Sequence, residues 1–150
     1  MRGKRLRFFF YGTLVAGSGN AVARAVHQHL EPLGAGWLTG SLYAIPDPQG
    51  WYPALVPGEG RVFGQLYGAQ PGFGAADLAA LDAYEDCDPG LPEASLYIRR
   101  PCLVEAAAGN RVEAQAYWFN QTVPGGALAI TSGNFATFAR ERGLLVFSLG

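Results

Sequence analysis

Apolar residues cluster from Leu6 to Tyr11 almost without a polar break, which predicts a first strand buried on both faces. Gly12 ends that run. Asn20 is a candidate N-cap, and Val22, Val26 and Leu30 recur every four residues up to Pro32, the spacing of an amphipathic helix. The pattern then changes to short β-type runs, Trp37 to Ile45, Ala54 to Val56 and Arg61 to Tyr67, punctuated by Pro and Gly. A second helix is predicted from Ala75 to Asp86, followed by a loop enforced by Pro89, Gly90 and Pro92. Leu96 to Ala106 and Arg111 to Asn120 read as a hairpin joined through Ala108-Gly109-Asn110. Asn134 is placed to cap a third helix carrying Phe135 and Phe138, with Gly143 ending it. The apolar stretch from Leu144 to Leu149 is expected to pack back on the sheet. About six strands with two or three helices give an α+β domain built on a strongly twisted sheet or a small, mixed, partly closed β-barrel.

Length and composition narrow this picture. The 150 residues form one predicted domain, 1–150, with no repeat, linker or composition break. Apolar residues are 49% and charged residues only 15%, the balance of a chain that builds a core. A net charge of −1 leaves no electrostatic footprint for nucleic acid. The basic cluster Arg2, Lys4, Arg5, Arg7 precedes Phe8-Phe9-Phe10 like the start of a signal peptide. Tyr11, Gly12 and Thr13 interrupt it at once, and no small-x-small site follows. No stretch approaches the roughly 20 apolar residues that span a membrane. Cys87 and Cys102 are too few for a disulfide scaffold and lack CxxC spacing, which fits a cytoplasmic chain. His27 and His29 sit two apart on the predicted first helix and so diverge, leaving no metal site in the pattern.

Two positions disagree with their surroundings. On the second helix, at about 100° per residue, Leu78 and Leu81 lie roughly 60° apart and Glu85 projects between them. A carboxylate in an apolar stripe means either a helix already frayed at Glu85 or a partly buried acid with a raised pKa, able to move protons near neutral pH. Periodicity alone leaves both open. Asp82, about 60° round the same helix, is a second acid/base candidate or a structural hydrogen-bond acceptor. The other anomaly is Tyr11-Gly12-Thr13-Leu14 at the end of the first strand. A glycine there lets backbone approach a ligand, and successive N–H groups can cradle a carboxylate or oxyanion. An ordinary strand-ending turn reads the same way. No GxGxxG, Walker loop, GxSxG, HExxH or Cys-His arrangement accompanies it. Trp51 and Tyr52 fit a dimer interface or a pocket lip equally well, and the oligomeric state is not legible.

The order of short segments carries more information than any one of them. Phe8-Phe9-Phe10-Tyr11-Gly12-Thr13-Leu14 is followed by Gly40-Ser41-Leu42-Tyr43, Tyr52-Pro53-Ala54-Leu55, Val62-Phe63-Gly64-Gln65-Leu66-Tyr67 and Leu81-Asp82-Ala83-Tyr84-Glu85. Tyr97-Ile98-Arg99, Ala116-Tyr117-Trp118-Phe119-Asn120 and Ser132-Gly133-Asn134-Phe135 complete the series. From about residue 6 to residue 140 the chain resembles the γ-glutamylcyclotransferase-like family, including its AIG2-like branch. The resemblance implies a small β-barrel with a pocket at one mouth and conversion of a γ-glutamyl amine or peptide to 5-oxoproline and free amine. It implies a small-molecule γ-glutamyl substrate, no metal and no organic cofactor. It maps the family's glutamate onto Glu85, its loop for the α-amino acid end onto Tyr11, Gly12, Thr13 and Leu14, and a pocket tyrosine onto Tyr97. The chain departs from the family pattern at Asp86, where glycine is frequent, at Gln65 for glutamate, and at Asn134 for aspartate. A like charge at Asp86 is expected to push Glu85 toward its protonated form. The reading from a different class is a non-catalytic domain that holds a small carboxylate or amino acid in the same pocket.

Overall fold

The computed structural model describes residues 5–12 and 21–147. Asn20, Thr13, Leu14 and the last residues of the 144–149 segment lie outside the described residues. In chain order the elements are β1 (Arg7–Phe10), α1 (Ala21–His27), β2 (Leu30–Ile45), β3 (Tyr52–Ala69), α2 (Ala75–Tyr84), a 3-10 turn (Pro92–Ala94), β4 (Tyr97–Ala106), β5 (Arg111–Phe119), β6 (Leu128–Ala129) and α3 (Phe135–Arg142). The strands follow the order β3-β1-β5-β4-β2-β6, and β2 also pairs with β3. The five strands β1 to β5 therefore close into a ring, with β6 attached outside it along β2. The barrel is mixed, because β1 runs parallel to β5 and antiparallel to β3. The expected α+β barrel with helices is thus the observed architecture.

Side-chain alternation explains where the core sits. Phe9 meets Leu38 and Leu42 of β2, Val62 and Leu66 of β3, Val104 of β4 and Ala114 and Ala116 of β5, so residues from all five ring strands fill the interior. Phe135 and Phe138 of α3 join the same cluster. Phe8 and Phe10 point to the opposite face and pack with Ala23 and Val26 of α1, Leu81 of α2, and Tyr97, Tyr117 and Phe119. Phe8 and Phe9 are fully buried and Phe10 nearly so. The unbroken apolar run of β1 follows from this position between two cores.

Several boundaries differ from the sequence expectation. The first helix ends at His27, not near Pro32. The His29 N–H bonds to Val26 O at 2.9 Å and closes the last turn, while Leu30 is already paired with Ala69 of β3. Sheet pairing overrides the every-fourth spacing, and His29 lies beyond the helix, paired with Asp77. The short runs of the first half merge into two long strands of 16 and 18 residues. Pro57 and Gly60 do not end β3, because the segment between Val56↔Ser41 and Arg61↔Thr39 bulges into solvent at a register shift. The hairpin formed by β4 and β5 and the third helix match their expected positions, including the Asn134 cap, whose side chain accepts from Thr137 N–H at 3.0 Å. The two-residue β6 has no sequence signal. Val146 bridges to Trp51, which brings the 144–147 segment back to the sheet.

Candidate active site

The end of α2 decides the site. Asp77 accepts from the Gly74 N–H at 3.0 Å and starts the helix. The helix stops at Tyr84, so Glu85 is its cap, two residues short of the Asp86 end expected from periodicity. Cys87 N–H bonds back to Asp82 O at 2.8 Å and Asp86 N–H to Ala83 O at 3.1 Å, while Asp86 adopts φ 51. This is the bond pair of a Schellman turn, with an aspartate where glycine is usual. The chain reverses there, and Leu96 N–H holds Asp86 O at 2.9 Å. Helix termination has not released Glu85 into water. It lines a cavity of about 200 Å³.

That cavity opens where the two cores meet, beyond the end of β1. Phe10, Tyr11 and Gly12 supply one wall, Tyr52 and Pro53 another, and Tyr97 and Tyr117 the floor from β4 and β5. Asp47 and Phe147 stand at its edge with Asp86. Tyr11, Gly12, Tyr97 and Glu85, expected at one site, border this one space. Thr13 and Leu14 lie outside the described residues. A Cβ on Gly12 would stand 2.4 Å from Pro53 Cγ, so only glycine permits this approach of the loop to β3. Tyr11 donates its hydroxyl to Tyr117 O at 2.5 Å, and Tyr97 donates to Pro53 O at 2.5 Å. Both rings are thereby tied to the wall through backbone acceptors.

Burial pushes Glu85 from its ordinary value near 4.5 up to about 8. The residue as a whole is only half-buried, and it lines the cavity together with Tyr11, Tyr52, Tyr84, Tyr97 and Tyr117. Burial is the cause expected for an enclosed acid, and the further push expected from the Asp86 charge is not among the causes of the shift. Tyr11 and Tyr97 are held protonated well above the usual phenol range, both first by burial, then Tyr11 by the nearby Glu85 charge and Tyr97 by Tyr11 and then Glu85. They are donors at neutral pH. Asp82 is a different kind of group. It is 7% exposed, receives Arg99 Nε at 2.9 Å and Nη2 at 3.3 Å, and accepts the Tyr117 hydroxyl at 2.6 Å. Of its two sequence readings, the structural acceptor is the one observed.

Sequence reasoning missed Pro53, Tyr117 and Phe147 as wall residues and left Tyr52 undecided between interface and lip; Tyr52 lines the cavity. Tyr117 and Pro53 fell within quoted segments without any signal of their role. Among the described residues no group of His, Cys, Asp and Glu has the arrangement of a metal site, and both cysteines are free. No helix of the described residues is long and apolar enough to cross a membrane.

Comparison with known proteins completes the description. The family model described as gamma-glutamyl cyclotransferase, AIG2-like, matches residues 8–137. The chain belongs to this family. Among solved structures, an AIG2-like protein from Mus musculus is 25% identical, with TM-score 0.59 over 83% of this chain and 82% of that one. Protein ytfP from Escherichia coli is 28% identical, with TM-score 0.57 over 87% and 96%. A structure titled gamma-glutamyl cyclotransferase, 14% identical, shares the fold at TM-score 0.58 over 93% and 81%. No curated protein sequence matches the chain significantly. The γ-glutamyl cyclotransferase, AIG2-like segment covers every described element from β1 to the first turn of α3.

Proposed function

We propose that this protein is a cofactor-independent cyclotransferase that converts a γ-glutamyl amine or peptide to 5-oxoproline and the free amine, with Glu85 as acid and base. The observation that carries this reading is the Glu85 side chain lining a small tyrosine-walled cavity with Tyr11 and Gly12, where burial pushes its pKa up to about 8. The substrate brings its own nucleophile. Its α-amine attacks the γ-carbonyl carbon, the new N–C bond closes a five-membered ring, and the bond to the leaving amine breaks. Holding the chain folded can supply an effective molarity of about 10⁵–10⁸ M.

Two protons leave the α-nitrogen, one that frees the amine for attack and one as the lactam forms. The departing amine takes up both when it leaves as an ammonium. The α-ammonium group has a pKa near ~8 in model termini, so a carboxylate of matched pKa takes its proton at little cost and returns it to the departing nitrogen. An ordinary carboxylate, several units more acidic, would be a poor acid for that second step. Among the described residues of the cavity wall none is basic. The carboxylate end of the substrate and the developing oxyanion are therefore assigned to N–H groups of the loop Tyr11, Gly12, Thr13 and Leu14, where one donor is typically worth roughly 3–4 kcal/mol. Tyr97 shapes the wall opposite. A raised Glu85 pKa favours catalysis over the non-catalytic carboxylate-binding reading, which has no use for a poised acid.

The test is release of 5-oxoproline from γ-glutamyl dipeptides and γ-glutamyl-lysine, followed by chromatography. Turnover by the wild type that survives intact in Glu85→Gln rejects the mechanism. Absence of release across the substrate panel, with binding of 5-oxoproline at the cavity, returns the protein to the binding class.

A further inference from the structure

Asp82 lies three residues before Glu85 in the last turn of α2 and is gripped from the sheet by two side chains. Arg99 and Tyr117 are direct cross-strand partners in the pairing of β4 with β5, so both arms of this grip come from one rung of the ladder. The same Tyr117 accepts, through its carbonyl, the hydroxyl of Tyr11 at the head of the substrate loop. Arg99 is further steadied by Gln115, which is itself the β5 partner of Phe8 in β1. A continuous path thus runs from Tyr11 through Tyr117 to Asp82 and on to the turn that presents Glu85.

We propose that Asp82, clamped by Arg99 and Tyr117, is a positioning residue that locks the end of α2 to the substrate loop and holds Glu85 at a fixed distance from the reacting amine. This rests on the reading of Glu85 as the base. The grip has an electrostatic side as well. A bare aspartate one turn away would discourage ionisation of Glu85, and Arg99 cancels that charge inside the protein. The titratable and charged groups around Glu85 are Tyr11 just after β1, Asp47 from the β2–β3 connection, Tyr52 from the start of β3, and Tyr97, Arg99 and Tyr117 from the hairpin. Asp82, Tyr84, Asp86 and Cys87 complete them from its own segment. Among these, Asp82 and Arg99 form a part-buried ion pair.

The experiment compares wild type with Tyr117→Phe, Asp82→Asn, Arg99→Met and the Asp82→Asn/Arg99→Met double variant. Tyr117→Phe deletes one hydroxyl and keeps the ring in the wall. It is expected to lower kcat about tenfold with KM changed less than about twofold, as for a group that aligns without binding. The second readout needs no turnover: the Glu85 carboxyl carbon is titrated by NMR, assigned by its loss in Glu85→Gln. Arg99→Met is expected to raise the Glu85 midpoint, Asp82→Asn to lower it, and the double variant to fall between. Loss of folding support alone would not move the two single variants in opposite directions. Shifts of the same sign, or full kcat in Tyr117→Phe, overturn the proposal. A wild type that releases no 5-oxoproline sinks the cyclotransferase reading, and the titration then decides the clamp by itself.

Discussion

Helices α2 and α3 end in the same turn and put it to different uses. In α3, Leu144 N–H bonds to Ala139 O and Gly143 N–H to Arg140 O, with Gly143 at φ 65. In α2 the equivalent bonds come from Cys87 and Asp86, and an aspartate sits at φ 51. The left-handed conformation is free of penalty for glycine and costs a residue with a Cβ about 1–2 kcal/mol. The α3 end carries arginines in its last turn, which suit the negative pole of a helix, and none of its residues lines the Glu85 cavity. The α2 end carries Asp82, Glu85 and Asp86, all acidic, at that same unfavourable pole. Stability was given up at one helix end only, and that is the end facing the cavity.

Substitutions can break this contrast or sharpen it. The largest effect is expected from Glu85→Gln, with kcat for 5-oxoproline release down about 10²–10⁴-fold, the range for loss of a general acid/base. Wild-type kcat/KM is expected to climb with pH up to about 8 as Glu85 ionises, and that limb should vanish from any residual activity of the variant. The same variant should gain stability. Unfolded Glu85 titrates near 4.5 and folded Glu85 near 8, so the folded state binds the extra proton between them. Its stability is therefore fullest below the unfolded value and falls as pH rises toward 8. Thermal melts at pH 8 should favour Glu85→Gln by up to about 4 kcal/mol, and melts at pH 4 should show almost no difference.

Smaller effects test the turns themselves. Gly143→Ala should cost about 1 kcal/mol in chemical denaturation and leave kinetics unchanged, since α3 touches no reacting group. Asp86→Gly should do the reverse at the other helix, adding up to about 1 kcal/mol. Because burial sets the Glu85 pKa, the pH midpoint of activity should stay in place in Asp86→Gly. A clear downward movement would mean that the Asp86 charge holds the Glu85 pKa up alongside burial.

Much of this could be read from the chain. The apolar run of β1 announced a strand buried on both faces, the Asn134 and Gly143 caps delimited α3, and the β4–β5 hairpin was read around Ala108-Gly109-Asn110. These are local signals, written within one or two turns of the residues they govern. Non-local pairing was less legible. Leu30 kept helical spacing but was taken by Ala69, and three short runs became two long strands because the pairing partner tolerates a bulge at Pro57 to Gly60.

The sequence by itself determined that one acid stood in an apolar stripe, that a glycine followed a buried strand, and that these pieces came in the order of the γ-glutamyl cyclotransferase, AIG2-like family. It left open whether Glu85 met water or protein, because both a frayed end and a buried acid satisfy the same periodicity. Only the tertiary structure separated Glu85 from Asp82. Three residues apart on one helix end, one is bound by Arg99 and Tyr117 while the other faces a cavity. The difference arises from which strands arrive beside each carboxylate, and barrel closure, not local pattern, sets that arrival.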